Sequence, residues 1–179
     1  MKYLQRINHI RIAIVLIIIT SLSACVSQWH SEHLFDKYCN EEGRVGQFIY
    51  ERVALGEEFF RPIPTDEAEL LRIDYRFYIN DKKLLIDKEY FQKYYTFNNR
   101  ERKVLSSTGP IYSVETTVVR KSDGKVLSKA VSLINMLDKT SKHFAVEGVT
   151  CPTGRDIEGF SLFNKNHRNL IEKTFFSKI

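Results

Sequence analysis

The longest apolar run in the chain, Ile12 to Ile19, is unbroken, whereas the residues after Cys25 follow shorter repeats. Leu34, Phe35, Tyr38 and Cys39 recur at i, i+1, i+4 and i+5, which puts them on one face of a helix capped by Ser31 and ending near Gly43. Gly46 to Leu55 alternates loosely, with Phe48 and Tyr50 opposed to Ile49 and Val53, and reads as a strand closed by Gly56. Pro62 and Pro64 fix φ and push the residues before them into extended conformations, so Phe59 to Pro64 forms a loop. Thr65-Asp66-Glu67 caps a short helical turn through Leu71. Ile73, Tyr75, Phe77 and Ile79 then alternate with Asp74, Arg76, Tyr78 and Asn80, a strand pattern. A turn at Asn80 to Lys83 leads into a returning strand from Leu84 to Ile86.

Between Asp87 and Arg102 the pattern fits two structures. Tyr90, Phe91, Tyr94 and Tyr95 have helical spacing, while the aromatic density suits strands equally well. The clearest unit is a hairpin from Ile111 to Leu137, introduced by Gly109-Pro110. Tyr112, Val114, Thr116 and Val118 share one face of its first arm, and Ser122-Asp123-Gly124-Lys125 makes the turn. His143 to Val149 reads as a further strand and Thr150 to Gly154 as a rigid loop. Phe163, His167, Leu170, Ile171, Thr174 and Phe175 recur at helical spacing after Ser161 or Asn164 as cap, giving a C-terminal amphipathic helix. The order predicts an α+β fold: an antiparallel, meander-like sheet with an N-terminal and a C-terminal helix packed on one of its faces.

Lys2, Arg6 and Arg11 precede the apolar run, no acid occurs before Cys25, and small residues follow it, which is the anatomy of a signal peptide. A spanning helix needs about 20 apolar residues, and serines interrupt this run well short of that. Ordinary signal peptidase would cut after Ser23 with Ser21 at −3, a reading that leaves the cysteine unexplained. Leu22-Ser23-Ala24-Cys25 resembles the lipobox of bacterial lipoproteins. The resemblance implies a diacylglycerol on the Cys25 thiol, cleavage just before it and acylation of the new amine. It divides the chain into a signal peptide (1–24), a lipidated cysteine with a short tether (25–30) and a single α+β globular domain (31–179). Val26 in place of Asp after the cysteine implies the outer membrane, under the usual enterobacterial sorting rule. Each buried methylene contributes about 0.8 kcal/mol, so several acyl chains make the bilayer a permanent partner. A tether of five residues, Val26 to His30, reaches on the order of 17 Å, and Trp29 belongs either at interfacial depth or against the domain.

Lipidation also resolves cysteine parity. The chain has three cysteines, and with Cys25 acylated only Cys39 and Cys151 remain to pair within it. An oxidising compartment is where such a bond persists. Charge changes meaning in the same way. The net +5 of the whole chain would suggest nucleic acid, but three of its 27 cations lie in residues 1–24, leaving 24 against 22 acids, or +2. Nucleic acid is therefore not an expected partner. Removal of residues 1–24 from 179 leaves 155, enough for a single domain to bury about two-thirds of its unfolded surface.

Candidate chemistry is sparse. His30 and His33 lie one helical turn apart beside Glu32, but a metal needs three or four ligands and no further donor has fitting spacing, so they read as exposed histidines. His143 and His167 read as packing or surface residues. No G-x-S-x-G elbow or phosphate-cradling glycine loop occurs, and the adjacent pairs Glu41-Glu42 and Glu57-Glu58 give no sign of flanking a substrate. No catalytic residue, metal or cofactor is expected. The most suggestive stretch is Lys88 to Lys103, in which aromatics interleave with cations; Tyr90, Tyr94, Tyr95, Arg100 and Arg102 are the candidate binding residues. Rings with cations suit a glycan, a peptidoglycan strand or an anionic headgroup. The alternative is that half the rings are core and the cations coat the sheet.

Phe35-Asp36-x-x-Cys39, Gly46-x-x-Ile49-Tyr50, Val118-Val119-Arg120-x-Ser122-Asp123-Gly124-x-Val126-Leu127 and the late Cys151-Pro152 resemble a layout found among small bacterial lipoproteins of uncharacterised activity. That resemblance implies that Cys39 pairs with Cys151 and supplies no catalytic residue. The reading is a non-enzymatic envelope lipoprotein facing the periplasm that binds an envelope protein or glycan. The alternatives are an envelope enzyme acting on cell-wall material and a surface-displayed or phage-encoded interference lipoprotein. Mass spectrometry of the mature protein is expected to find Cys25 as the first residue, carrying acyl chains; an unmodified Cys25 inside a longer N-terminal peptide would refute the assignment.

Overall fold

The computed structural model describes residues 26, 29–79, 84–106, 111–136, 149–154 and 161–178. The export segment 1–24, Cys25, the Asn80–Lys83 turn, Gly109-Pro110 and most of the strand expected at His143–Val149 lie outside these residues. In chain order the described elements are α1 (29–40), β1 (Gly46–Ile49), β2 (Val53–Leu55), β3 (Phe60–Arg61), α2 (Glu67–Leu70), β4 (Tyr78–Ile79), β5 (Leu84–Ile86), α3 (Lys88–Tyr94), β6 (Tyr95–Ser106), β7 (Ile111–Arg120), β8 (Val126–Asn135), β9 (Val149–Cys151), α4 (Leu162–Arg168), α5 (Leu170–Thr174) and β10 (Phe175–Ser177). Among the described residues no helix is long and apolar enough to cross a membrane.

The expected hairpin is the centre of the fold. β7 and β8 pair antiparallel from Ile111↔Asn135 to Val119↔Val126, and the turn closes through Arg120 N–H donating to the Lys125 carbonyl, with Gly124 at φ 68°. β6 pairs with β7, so β6, β7 and β8 form the meander. The far edge of β8 is shared by β1, opposite Ser128 to Val131, and β9, opposite Leu133 to Asn135. Mixed helices with antiparallel sheets make the fold α+β. Two smaller sheets flank it: β3-β5-β4, which is antiparallel, and a parallel pair of β2 and β10.

Strand alternation assigns the two faces. Thr116, Ser128 and Ser132 point to the side on which α4 and α5 pack, whereas Ile111, Leu133 and Asn135 point to the side of α1. The terminal helices therefore cover opposite faces, not one. Each has its own core. Phe77, Phe91, Tyr95, Leu170, Ile171 and Phe175 fill the larger one, with Phe91 edge-on to Phe77 and Phe175 at 5.4 and 5.1 Å between centroids. Phe35, Ile111, Leu133 and Cys151 form the smaller one beneath α1.

Several local expectations give way to tertiary or capping interactions. Ser31 lies inside α1, fully buried, and its hydroxyl donates to Asn135 Oδ1 at 3.1 Å, so it docks the helix and does not cap it. The strand expected over Gly46–Leu55 breaks because Tyr50 N–H and Glu51 N–H both donate to the Leu127 carbonyl, releasing β2 toward β10. The alternation at Ile73–Ile79 yields only Tyr78–Ile79 as strand. Asp74 offers its carboxylate to the Arg76 N–H and starts a 3-10 turn at Tyr75–Phe77, a local bond that outcompetes a ladder. The ambiguous stretch resolves into both structures: Asp87 caps α3 through the Tyr90 N–H, and β6 starts at Tyr95. The C-terminal helix is interrupted at Asn169, and Phe175 opens β10 in place of a last helical turn.

Cys39 at the end of α1 and Cys151 in β9 form a disulfide, with Cα atoms 5.9 Å apart and 112 residues of separation. By loop-closure entropy a loop of that length corresponds to roughly 4 to 5 kcal/mol. Cys39→Ser and Cys151→Ser are each expected to lower the melting temperature by many degrees, by similar amounts and without adding in the double variant. Unchanged melting curves with two titratable thiols in the wild type would contradict the bond.

Candidate functional site

The candidate site begins with an irregularity in β6. Pairing with β7 passes from Asn98↔Thr117 to Glu101↔Glu115, so Asn99 and Arg100 together oppose Thr116. This is a β-bulge, and Arg100 adopts φ 55°, a left-handed conformation that costs a non-glycine residue on the order of 1 kcal/mol. The geometry is held by the Arg100 N–H donating to Thr116 Oγ1 at 3.1 Å. The bulge aims the Arg100 side chain at α4, where Nη2 donates to Asn164 Oδ1 at 2.7 Å and the guanidinium lies 5.8 Å from the Phe163 ring centroid.

The facing rim is the 3-10 turn. Arg76 donates through Nε and Nη2 to the two oxygens of Asp74 at 2.7 and 2.6 Å, and Lys88 Nζ stands 3.6 Å from the same carboxylate. Between the rims, with Arg168 alongside and His167 behind, lies an open cleft of about 530 Å³. Tyr75 stands at its edge, 61% exposed.

Electrostatics in the cleft follow from partial burial among like charges. The Arg100 pKa is lowered, first by burial of its guanidinium and then by repulsion from Arg76 and Arg168. Burial opposes ionisation of Asp74, but the hydrogen bonds and charge of Arg76 outweigh it and hold the carboxyl below the usual range. His167 is 1% exposed, with Nδ1 2.8 Å from Thr116 Oγ1 and Nε2 3.0 Å from Ser132 Oγ. Burial and then the Arg100 charge depress its pKa to about 4, so the ring is neutral at pH 7. Next to it, Asn166 Nδ2 donates to the Val131 carbonyl at 2.8 Å and Ser132 Oγ at 3.1 Å, which clamps α4 to the sheet.

The five candidates from the aromatic and basic stretch are not brought together. Tyr90 and Tyr94 share the surface of α3, their hydroxyls 3.3 Å apart, while Tyr95 is core. Arg100 enters the cleft, and Arg102 lies exposed on β6 opposite Val114. Tyr94 and Tyr95 also border a shallow depression of about 320 Å³ with Lys93, Arg120 and Lys121. Its cations are engaged: Arg120 with Glu51 and Asp123, Lys121 with the Gln92 carbonyl, and Lys93 5.1 Å over the Tyr90 ring. In the cleft, by contrast, the Arg100 side chain donates to a neutral acceptor, Asn164, which makes the cleft the better candidate.

Sequence reasoning singled out Arg100 but not Arg76, Asp74, Asn164 or Arg168. Their one local signal is Asp74 two residues before Arg76. No group of three or more His, Cys, Asp or Glu that could hold a metal occurs among the described residues. No known protein family, curated protein or solved structure matches the chain.

His167 makes stability depend on pH. Its native pKa of about 4 lies below the unfolded value near 6.5, so between them the unfolded chain binds more protons. Stability is full above pH 6.5 and falls as pH drops toward 4. Urea unfolding is expected to lose about 2 kcal/mol from this group between pH 7.5 and pH 5. His167→Gln should flatten that part of the profile, and an unaltered slope in the variant would refute the assignment.

Proposed function

We propose that the protein is a lipid-anchored lipoprotein of the bacterial cell envelope, held at the outer membrane and facing the periplasm, whose domain is a non-enzymatic binding module. The observation that carries the reading is the bond between Cys39 and Cys151. It leaves Cys25, in its lipobox setting, as the one remaining cysteine of the chain. Trp29 adds support: it is 66% exposed at the start of α1, stacked on His33 at 5.8 Å, and an exposed indole four residues after Cys25 suits the membrane interface.

Binding, as opposed to catalysis, is supported by how the cleft's titratable groups are tuned. An acid catalyst acting on cell-wall material calls for a carboxyl with a raised pKa, but Asp74 is pulled down and occupied by Arg76. Both ring nitrogens of His167 meet hydroxyls of the protein itself. What the cleft offers a ligand is guanidinium, amide and phenol, groups that recognise by hydrogen bonding.

Cys25→Ser is expected to move the protein from the membrane fraction to the soluble periplasm with the disulfide intact. Crosslinking of the wild type in intact envelopes is expected to recover a discrete envelope protein or glycan. Retention of the serine variant in the membrane would defeat the anchor; recovery of no specific component would defeat the binding role.

A further inference from the structure

We propose that the cleft between the Asp74–Arg76 turn and α4 binds a phosphate group carried on a small polar ligand, a sugar phosphate or a phosphorylated headgroup, with Arg100 as its principal contact. The proposal deepens the binding reading above and relies on it only for where the ligand resides. Its basis is a charge that meets no ionic partner among the described residues. Among the described residues, the side-chain hydrogen bond of Arg100 goes to a neutral acceptor, Asn164 Oδ1. The carboxylate in the cleft lining, Asp74, is taken by two bonds from Arg76 and a contact from Lys88.

Arg100 is also where the backbone departs from regular geometry. The bulge and the left-handed φ set its side chain against α4, and the Thr116–His167–Ser132 hydrogen bonds hold the bulge to the helix from behind. Arg100 stays exposed on the edge strand, and it shares the cleft with two other guanidiniums, Arg168 and the Asp74-paired Arg76. An anion between them converts that repulsion into attraction.

The choice of phosphate follows from number and direction. Guanidiniums line the cleft from β6, from α4 and from the 3-10 turn, three different elements, and with Lys88 beside Asp74 the cations exceed the one carboxylate even though Arg76 is paired to it. A phosphate monoester carries about −1.5 to −2 charges and presents oxygens in three directions, whereas a carboxylate carries one charge and presents two oxygens in a plane. The remaining lining suits what the phosphate is attached to. Tyr75 offers an exposed ring face to a sugar, and Asn99, Ser161 and Asn164 offer hydrogen bonds to hydroxyls. A volume of about 530 Å³ holds a phosphate with one such group.

The test titrates the mature, full-length chain in non-ionic detergent with inorganic phosphate, glucose 1-phosphate, glycerol 3-phosphate, galacturonate and glucose, followed by amide NMR. Saturable shifts centred on Tyr75, Arg100 and Asn164 are expected with the phosphates, together with a rise in the His167 titration midpoint as the bound anion offsets the Arg100 charge. Arg100→Gln should weaken phosphate binding at least tenfold with little change in melting temperature; should it not fold, Arg168→Gln should give a loss of the same sign. Tighter binding of glucose 1-phosphate supports a glycan source and tighter binding of glycerol 3-phosphate a lipid headgroup. Galacturonate binding as well as the phosphates, or no saturable shift with any phosphate, overturns the proposal. Because lipid on Cys25 takes no part in these titrations, such a failure is separate from failure of the anchor, which fractionation of Cys25→Ser reads.

Discussion

Strand β8 is covered on both faces and hydrogen-bonded along both edges, and the rest of the molecule is positioned by how it meets that strand. β7 lies along one edge, and β1 and β9 share the other. On one face Leu133 and Asn135 receive α1; on the other Ser128 and Ser132 receive Thr174 and His167. A strand buried on both sides leaves no polar group free to turn to water, so each hydroxyl or amide on it must find a partner in the protein. That requirement selects small side chains at Ser128, Ala130 and Ser132, allows α4 and α5 to approach closely, and calls for the hydroxyl and imidazole groups that meet them.

The same requirement explains His167. Its side chain recurs at helical spacing with apolar neighbours and so reads as either a packing or a surface residue; the structure buries it. The additional fact is that it links the sheet face to the bulge carrying Arg100 through Thr116. Burial gives the neutral imidazole two hydroxyl neighbours, while the charge of Arg100 stands close enough to disfavour its protonation. Structural and electrostatic roles coincide in one side chain because the cleft is built directly on the core.

What could be read in the sequence was what depends on local pattern. Alternation with a Gly-containing turn identified the β7–β8 hairpin, and cysteine parity with the lipoprotein-like layout identified the Cys39–Cys151 bond. Where the pattern failed, a specific bond was stronger than periodicity: the Asp74 carboxylate on the Arg76 N–H, the Leu127 carbonyl taking two N–H groups, and the pairing of Phe175 with Val53. The cleft was the least legible part. Arg76, Arg100 and Arg168 come from an expected strand, an ambiguous stretch and a helix, and only the bulge brings them to one opening. Asn98-Asn99 ahead of Arg100 hints at irregular backbone, since asparagine tolerates turn conformations, but nothing adjacent in the chain names the partners.

The disulfide also has a mechanical meaning. Cys39 and Cys151 enclose 112 residues of separation, including every strand from β1 to β8, while α1 precedes the bond and α4, α5 and β10 follow it. A pull applied ahead of α1 and resisted beyond β9 travels along α1, crosses the sulfur bridge and continues past Cys151, bypassing the meander. Stretching in that direction loads only the chain outside the covalent loop, α1 and the residues after Cys151, so the cleft's β6 wall is shielded from tension that its α4 wall would feel. A protein with this wiring can be tugged from its N-terminal side without its central sheet being drawn out.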